Sequence, residues 1–194
     1  MNFDRCRFSL NVLESSLIAV GGENSEGLFQ RLDDGNGNHE AQNVATVERY
    51  DVNADSWTIL SSMPEYRSQH AGATYENHLY ISGGIDQYGN VLDSFYDYDV
   101  GTDKWMKICN LTPRADHVML RIDKKIFICG GWEEVNGQRR LISAIECFDV
   151  KNSTINIITY VPTPRFHAGI TLINNKIWII GGFSADGEED FQFI

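Results

Sequence analysis

The feature that most restricts this chain is a pair of glycines closing four separate apolar runs: "LIAVGG" to Gly22, "LYISGG" to Gly84, "IFICGG" to Gly131 and "IWIIGG" to Gly182. A glycine pair weakens a strand unless another backbone or ring must come very close there. The first glycines, Gly21, Gly83, Gly130 and Gly181, are separated by 62, 47 and 51 residues. The first interval carries about 14 extra residues within "ENSEGLFQRLDDGNGNHEAQN", and without them the period is close to that of the others.

Three more marks recur with the doublets, and the last two hold a fixed phase. An aromatic-aspartate step follows each of the first three, at Tyr50, Tyr98 and Phe148. Seven residues later stands a large apolar side chain: Trp57, Trp105 and Ile155. An arginine, Arg5, Arg67, Arg114 or Arg165, precedes each first glycine by 16 residues. Within the second unit the pattern predicts four strands, Ser68 to Tyr75, His78 to Gly84, Ser94 to Asp99 and Lys104 to Ile108. Glu76-Asn77, Asp123-Lys124 and Asn174-Asn175 supply turns between the first two strands of successive units. No segment sustains a 3.6-residue period, and β-branched and aromatic residues crowd the expected strands.

Four-stranded units at such a period predict an all-β fold, a partial β-propeller of about three and a half blades, each buried against its neighbours. The elements "RSQHAGATYENHLYISGG", "FYDYD" and Trp105 resemble the kelch repeat. The resemblance implies blades at approximately 5–61, 67–108, 114–159 and an incomplete 165–194. It also implies that Gly21, Gly22, Gly83, Gly84, Gly130, Gly131, Gly181, Gly182, Tyr50, Trp57, Tyr98 and Trp105 are structural. In that family the doublet lets rings from the third and fourth strands pack closely. The chain is expected to stop after the second strand of its fourth unit, and hence to be part of a longer protein or a truncated product. Phe148 and Ile155 depart from the tyrosine and tryptophan of the pattern, so the third blade is expected to pack more weakly.

With 27 acidic against 16 basic residues the net charge is −11. That field repels phosphate backbones and anionic lipid surfaces, so neither nucleic acid nor a membrane is an expected partner. The N-terminus lacks the basic start and unbroken apolar core of a secretory signal. Cys6, Cys109, Cys129 and Cys147 are scattered without a CxxC pair, with Cys129 inside an apolar run. These features favour a reducing compartment, the cytosol or nucleus.

Signals for chemistry are weak. The five histidines form no HExxH, and no metal site or cofactor is expected. His70 and His117 share a repeat phase and read as strand-start residues satisfied by neighbouring backbone. "DDGNGNHE" has His39 and Ala45 where a calcium loop starting at Asp34 needs glycine and glutamate. No phosphate loop or nucleophile elbow is present. A non-enzyme is expected, with a propeller enzyme as the rival class.

Loops on a rigid scaffold are where recognition usually resides. The kelch resemblance implies a binding face built from Glu23 to Asn43, Ile85 to Asp93, Trp132 to Ser143 and the links near the repeat arginines. Candidate partner-binding residues are Glu23, Ser68, Tyr88, Trp132, Arg139, Arg140 and Phe166, several of them types that dominate interfaces. Trp132 stands either at a loop mouth or packed on an adjacent blade. Cys6, Ala115 and Phe166, in the same phase as Ser68, are expected to line this face. The arginines themselves read as structural, pairing with backbone or carboxylates. The units look most like kelch-like proteins with upstream BTB and BACK domains. Their propellers select clients for a cullin-RING ubiquitin ligase, with the third cullin bound through the BTB domain. That resemblance implies a protein client on the loop face, and a ligase reached through domains that these residues do not include. Actin or cytoskeletal scaffolding is the other binding role the family implies.

Overall fold

The computed structural model describes residues 1–23, 45–184 and 191–193, with no helix among them. Blade one is the sheet β1 (Ser9–Leu13), β2 (Ser16–Val20), β3 (Val47–Asp51) and β4 (Ser56–Leu60). Blade two repeats it as β5 (Ala71–Tyr75), β6 (His78–Ser82), β7 (Ser94–Asp99) and β8 (Lys104–Asn110). In blade three, β9 (Val118–Ile122) and β10 (Lys125–Cys129) are followed by an extra hairpin, β11 (Trp132–Val135) and β12 (Gln138–Leu141). The sheet then resumes with β13 (Ala144–Asp149) and β14 (Thr154–Tyr160). Blade four holds β15 (Gly169–Ile173), β16 (Lys176–Ile180) and β17 (Phe191–Phe193). All pairings are antiparallel, so each blade is a meander.

The first strands of successive blades lie side by side, β1 against β5, β5 against β9 and β9 against β15. Three apolar cores fill the spaces between sheets. Leu13, Ile18 and Val20 meet Leu79, Ile81 and Tyr98 between blades one and two. Tyr80 and Phe95 meet Met119, Ile126 and Phe148 between blades two and three. Cys129 and Ile145 meet Ile179 between blades three and four. Central strands such as "HLYIS" are therefore buried on both faces, which is why they read as continuous apolar runs rather than alternating ones.

Several sequence expectations need correction. The first strand of blade two starts at Ala71 rather than Ser68, because Gln69 takes a left-handed φ of 55° that extended pairing cannot absorb. The second strand ends at Ser82, since Gly83 and Gly84 have φ of 58° and 98°. Blade four continues into a third strand, with Ile180 opposite Phe191. The segment from Trp132, expected as a loop, is mostly a hairpin turning at Asn136 (φ 53°) and Gly137 (φ 74°), the left-handed pair that a two-residue turn requires.

The doublet's role also differs from the one the resemblance implied. A Cβ on Gly84 would lie 2.5 Å from the Ser68 carbonyl oxygen and 2.9 Å from His70 Cβ. One on Gly83 would strike the Arg114 carbonyl of the next blade and stand 2.9 Å from His117 Cε1. The close neighbours are thus backbone carbonyls and a histidine ring, rather than rings of the third and fourth strands. Those rings pack on each other instead, Tyr98 on Trp105 at 4.6 Å and Tyr50 on Trp57 at 5.2 Å. Phe148, at the same repeat position in blade three, is buried edge-on against Phe95 at 5.1 Å.

Candidate functional site

The loops after the second strands and the links between blades share one end of the arc. Each repeat arginine lies just beneath that end and is spent on structure. Nη1 of Arg5, Arg67, Arg114 and Arg165 donates to the carbonyl of Gly21, Gly83, Gly130 and Gly181 at 3.0, 3.0, 3.2 and 2.6 Å. Arg5 pairs with Glu48, Arg67 with Glu65 and Arg114 with Glu146. Burial pulls the Arg67 guanidinium down to about 10, still charged at neutral pH. These groups clamp the doublet to the next strand and offer little to a ligand.

The residue after each arginine makes a two-way backbone bridge to the residue after the doublet: Cys6 to Glu23, Ser68 to Ile85, Ala115 to Trp132 and Phe166 to Phe183. This bridge hides part of the expected face. Cys6 is exposed and Phe166 half-buried, but Ala115 is buried and Ser68 is only 2% exposed, its hydroxyl donating to Glu23. Trp132 is 4% exposed, its indole N–H donating to Asp116 at 2.9 Å and its ring covered by the Arg139 guanidinium at 4.3 Å. Of the two placements open from sequence, the packed one holds. Arg139 and Arg140 project from β12, with Arg140 paired to Glu133 across the hairpin. Tyr88 is 79% exposed on a turn pinned by Asp86, whose carboxylate accepts from the Tyr88 and Asn90 backbone N–H groups at 2.8 Å. Of the Glu23 to Asn43 segment, all but Glu23 lies outside the described residues.

Sequence reasoning missed the next position. Arg7, Gln69, Asp116 and His167, two residues past each arginine, all have left-handed φ between 53° and 55°. Their backbones form a relay across the blades: Gln69 N–H donates to Arg7, Asp116 to Gln69 and His167 to Asp116, at 2.9 to 3.0 Å. Their side chains continue it. With its amide oriented to suit both neighbours, Gln69 donates to Asp116 at 2.8 Å and accepts from Arg7 at 3.2 Å. His167 Nδ1 lies 3.4 Å from Asp116 Oδ1, and Arg7 lies 3.4 Å from Glu23. The result is a polar rim crossing all four blades. Its only sequence signal is phase, because the four residue types differ.

Comparison with known proteins fits this geometry. Residues 7–192 match the KLHDC2/KLHL20/DRC7 Kelch-repeats domain. The chain belongs to the kelch-repeat family. Kelch-like protein 36 of Bos taurus is 30% identical over 198 residues, spanning 95% of this chain and 28% of that protein. Kelch-like protein 26 of Danio rerio is 28% identical, with the same two coverages. Beta-scruin of Limulus polyphemus is 28% identical over 74% of the chain and 16% of its own length. The chain therefore spans under a third of these relatives. The solved structure of YjhT overlays on 97% of the chain, and on 65% of that protein, with a TM-score of 0.79 at 15% identity, a likeness of fold.

As a kelch arc, the molecule presents a rim whose charges are largely satisfied internally, with exposed groups standing above it. Tyr88, Arg139 and Phe183, whose ring lies 5.5 Å from that of Phe166, are exposed features of blades two, three and four. Internally paired charges cost little to cover, and preformed aromatic and guanidinium groups lose little freedom on binding.

Proposed function

We propose that this kelch arc binds a segment of a client protein on its loop face, as part of an adaptor that delivers clients to a cullin-RING ubiquitin ligase in the cytosol or nucleus. Kelch-like relatives support the interaction role. The observation that carries the surface assignment is Tyr88, a large ring almost wholly in solvent on a turn fixed by three hydrogen bonds to Asp86. Rigid exposed aromatics of this kind anchor interfaces. Arg139, flattened on Trp132, supplies a second preorganised anchor. Ser68 and Trp132 then act from beneath, holding Glu23 and Arg139. Ligase recruitment belongs to segments beyond these residues.

The test is capture from cells by the full-length protein carrying Tyr88→Ala and Arg139→Ala. We expect the recurrent client to be lost while a cullin still co-purifies. Retention of the client shows the face to be misassigned, and absence of any cullin from the unaltered protein removes the ligase reading. Recovery of actin in its place favours the scaffold role.

A further inference from the structure

At the opposite end of the arc a cavity of about 450 Å³ opens between blades two and three. Its blade-two wall carries Tyr75, Glu76, His78, Tyr80 and Asp97, and Phe148, Val150 and Ser153 close it from blade three. The β5–β6 and β13–β14 turns bound it, whereas the proposed client face is built from loops at the other end of the same strands. Tyr80 is only 4% exposed, lines this space and has ring contacts, yet its hydroxyl takes part in no hydrogen bond among the described residues. The ring is buried while the hydroxyl reaches the cavity, where a group from outside can meet it.

On the wall closed by Phe148 and Ser153, blade three lacks groups that its predecessors have. In blades one and two the third-strand tyrosine donates to an aspartate five residues on, Tyr50 to Asp55 and Tyr98 to Asp103. The corresponding residues of blade three are Phe148 and Ser153, so both the hydroxyl and the carboxylate are missing.

The equivalent gap between blades one and two shows what such a space can hold. Ile18 faces Arg49 across the β2–β3 pair just as Tyr80 faces Asp97 across β6–β7. Arg49 donates from Nε to Ser16 Oγ at 3.0 Å, and its positive field reaches the Tyr98 phenol of the next blade. One interblade gap therefore holds the chain's own guanidinium. In the next gap Asp97 replaces Arg49, and His78, bonded to Asp97 at 2.8 Å, replaces Ser16.

Charge in the cavity favours a cation. Lys107 sits on its rim and pairs in register with Tyr96, on the sheet face turned toward blade one; its field acts on Glu65 there and also on Cys109, so it offsets only part of the negative charge of Asp97 and Glu76. Arg121 reaches Tyr75 only weakly compared with Glu76, whose hydrogen bond and charge raise that phenol's pKa. Burial first, then Asp97 and Glu76, hold the Tyr80 phenol above its ordinary range, leaving it a neutral hydroxyl able to accept a hydrogen bond. Two carboxylates and a free hydroxyl, bordered by aromatic walls, match the planar fork of donors on a guanidinium better than the point charge of an ammonium.

We infer that this cavity is a second binding site, which takes an arginine side chain presented by a protein segment, in the place where Arg49 serves between the preceding blades. Its stem lies along Phe148 and Val150, and its fork reaches Asp97 and the Tyr80 hydroxyl. This site is independent of the loop face.

The experiment titrates acetyl-Gly-Arg-Gly-amide into the isotope-labelled full chain and follows backbone amide resonances. Saturable shifts are expected at Glu76 to His78 and Val150 to Ser153. The citrulline counterpart, isosteric but uncharged, should bind at least about tenfold more weakly, and the lysine counterpart should fall between. Asp97→Asn should abolish the shifts. Asp97→Arg should do the same by supplying an internal guanidinium, and it keeps the test decisive if Asp97→Asn folds poorly. The inference is overturned if citrulline binds as well as arginine, if shifts appear only at the loop face or nowhere, or if both folded variants still respond.

Discussion

At the scale of single residues, the doublets show how one residue type answers two demands. Gly83 has a left-handed φ of 58° and lies against the Arg114 carbonyl of the following blade. Gly181 has a similar φ of 69°, but a Cβ there would meet no atom within 4 Å among the described residues. The pair separates conformational cost from steric cost. Gly181→Ala should lose only the left-handed penalty, about 1 kcal/mol. Gly83→Ala carries the same penalty plus a backbone collision, and should lose about 3 kcal/mol or more. Denaturant unfolding of the two variants in the same chain measures the difference, and equal losses would refute the interblade account. The doublets were plain in the sequence, but their neighbours were not, because a carbonyl from the next blade leaves no side-chain signature. The rim of Arg7, Gln69, Asp116 and His167 stayed hidden for a related reason. What repeats there is a backbone conformation, and four different side chains adopt it.

At the scale of elements, strands and turns were largely legible, since continuous apolar runs, turn residues and the glycine stops mark them directly. The β11–β12 hairpin was not, although "VNGQ" carried the signal: Asn136-Gly137 is a strong two-residue turn pair. Its place between the second and third strands of a repeat, which normally holds a loop, masks that signal. Its stability rests on that turn, on the Glu133–Arg140 pair and on Trp132, which is bonded to Asp116. Gly137 has φ 74° and open space around it, so Gly137→Val would strain the turn without disturbing the blade. Hydrogen exchange should then rise several-fold at amides 133–141, while β10 and β13 remain protected. If exchange spreads into β13, the hairpin is part of the blade's cooperative unit. The burial of Trp132 also decides which changes probe binding cleanly. Trp132→Ala removes a packed ring together with the indole donor to Asp116, so loss of capture in that variant would report damage as much as recognition.

At the scale of the whole molecule, blades are joined by buried polar links as well as by apolar cores, and these links predict how the arc responds to acid. His70 Nε2 meets Ser9 Oγ of blade one at 3.0 Å, and His117 Nε2 meets Ser82 Oγ of blade two at 2.7 Å, side-chain partners that the repeat phase alone did not reveal. Burial, reinforced by nearby Arg67, pushes His70 down to about 3 from an ordinary 6.5, and burial with Arg114 drives His117 down as well. Once pH falls below 6.5, the unfolded chain takes up protons at these rings that the folded chain refuses. Stability is thus complete above that value and declines as pH drops toward the folded values. The slope should approach about 1.4 kcal/mol per pH unit for each histidine. Carboxylates whose values are lowered in the fold, such as Asp51, Asp99 and Glu65, add the same trend only at lower pH, and Asp97, raised by burial, opposes it. Between pH 6.5 and 5 the two histidines begin to titrate in the unfolded chain, and comparison with a histidine variant separates their part from that of Asp97. Chemical unfolding across that interval should show falling stability in the parent chain and a shallower fall in His70→Gln. A flat profile in the parent would mean that these rings are hydrated or already charged in the fold, and that the blades are held together without them.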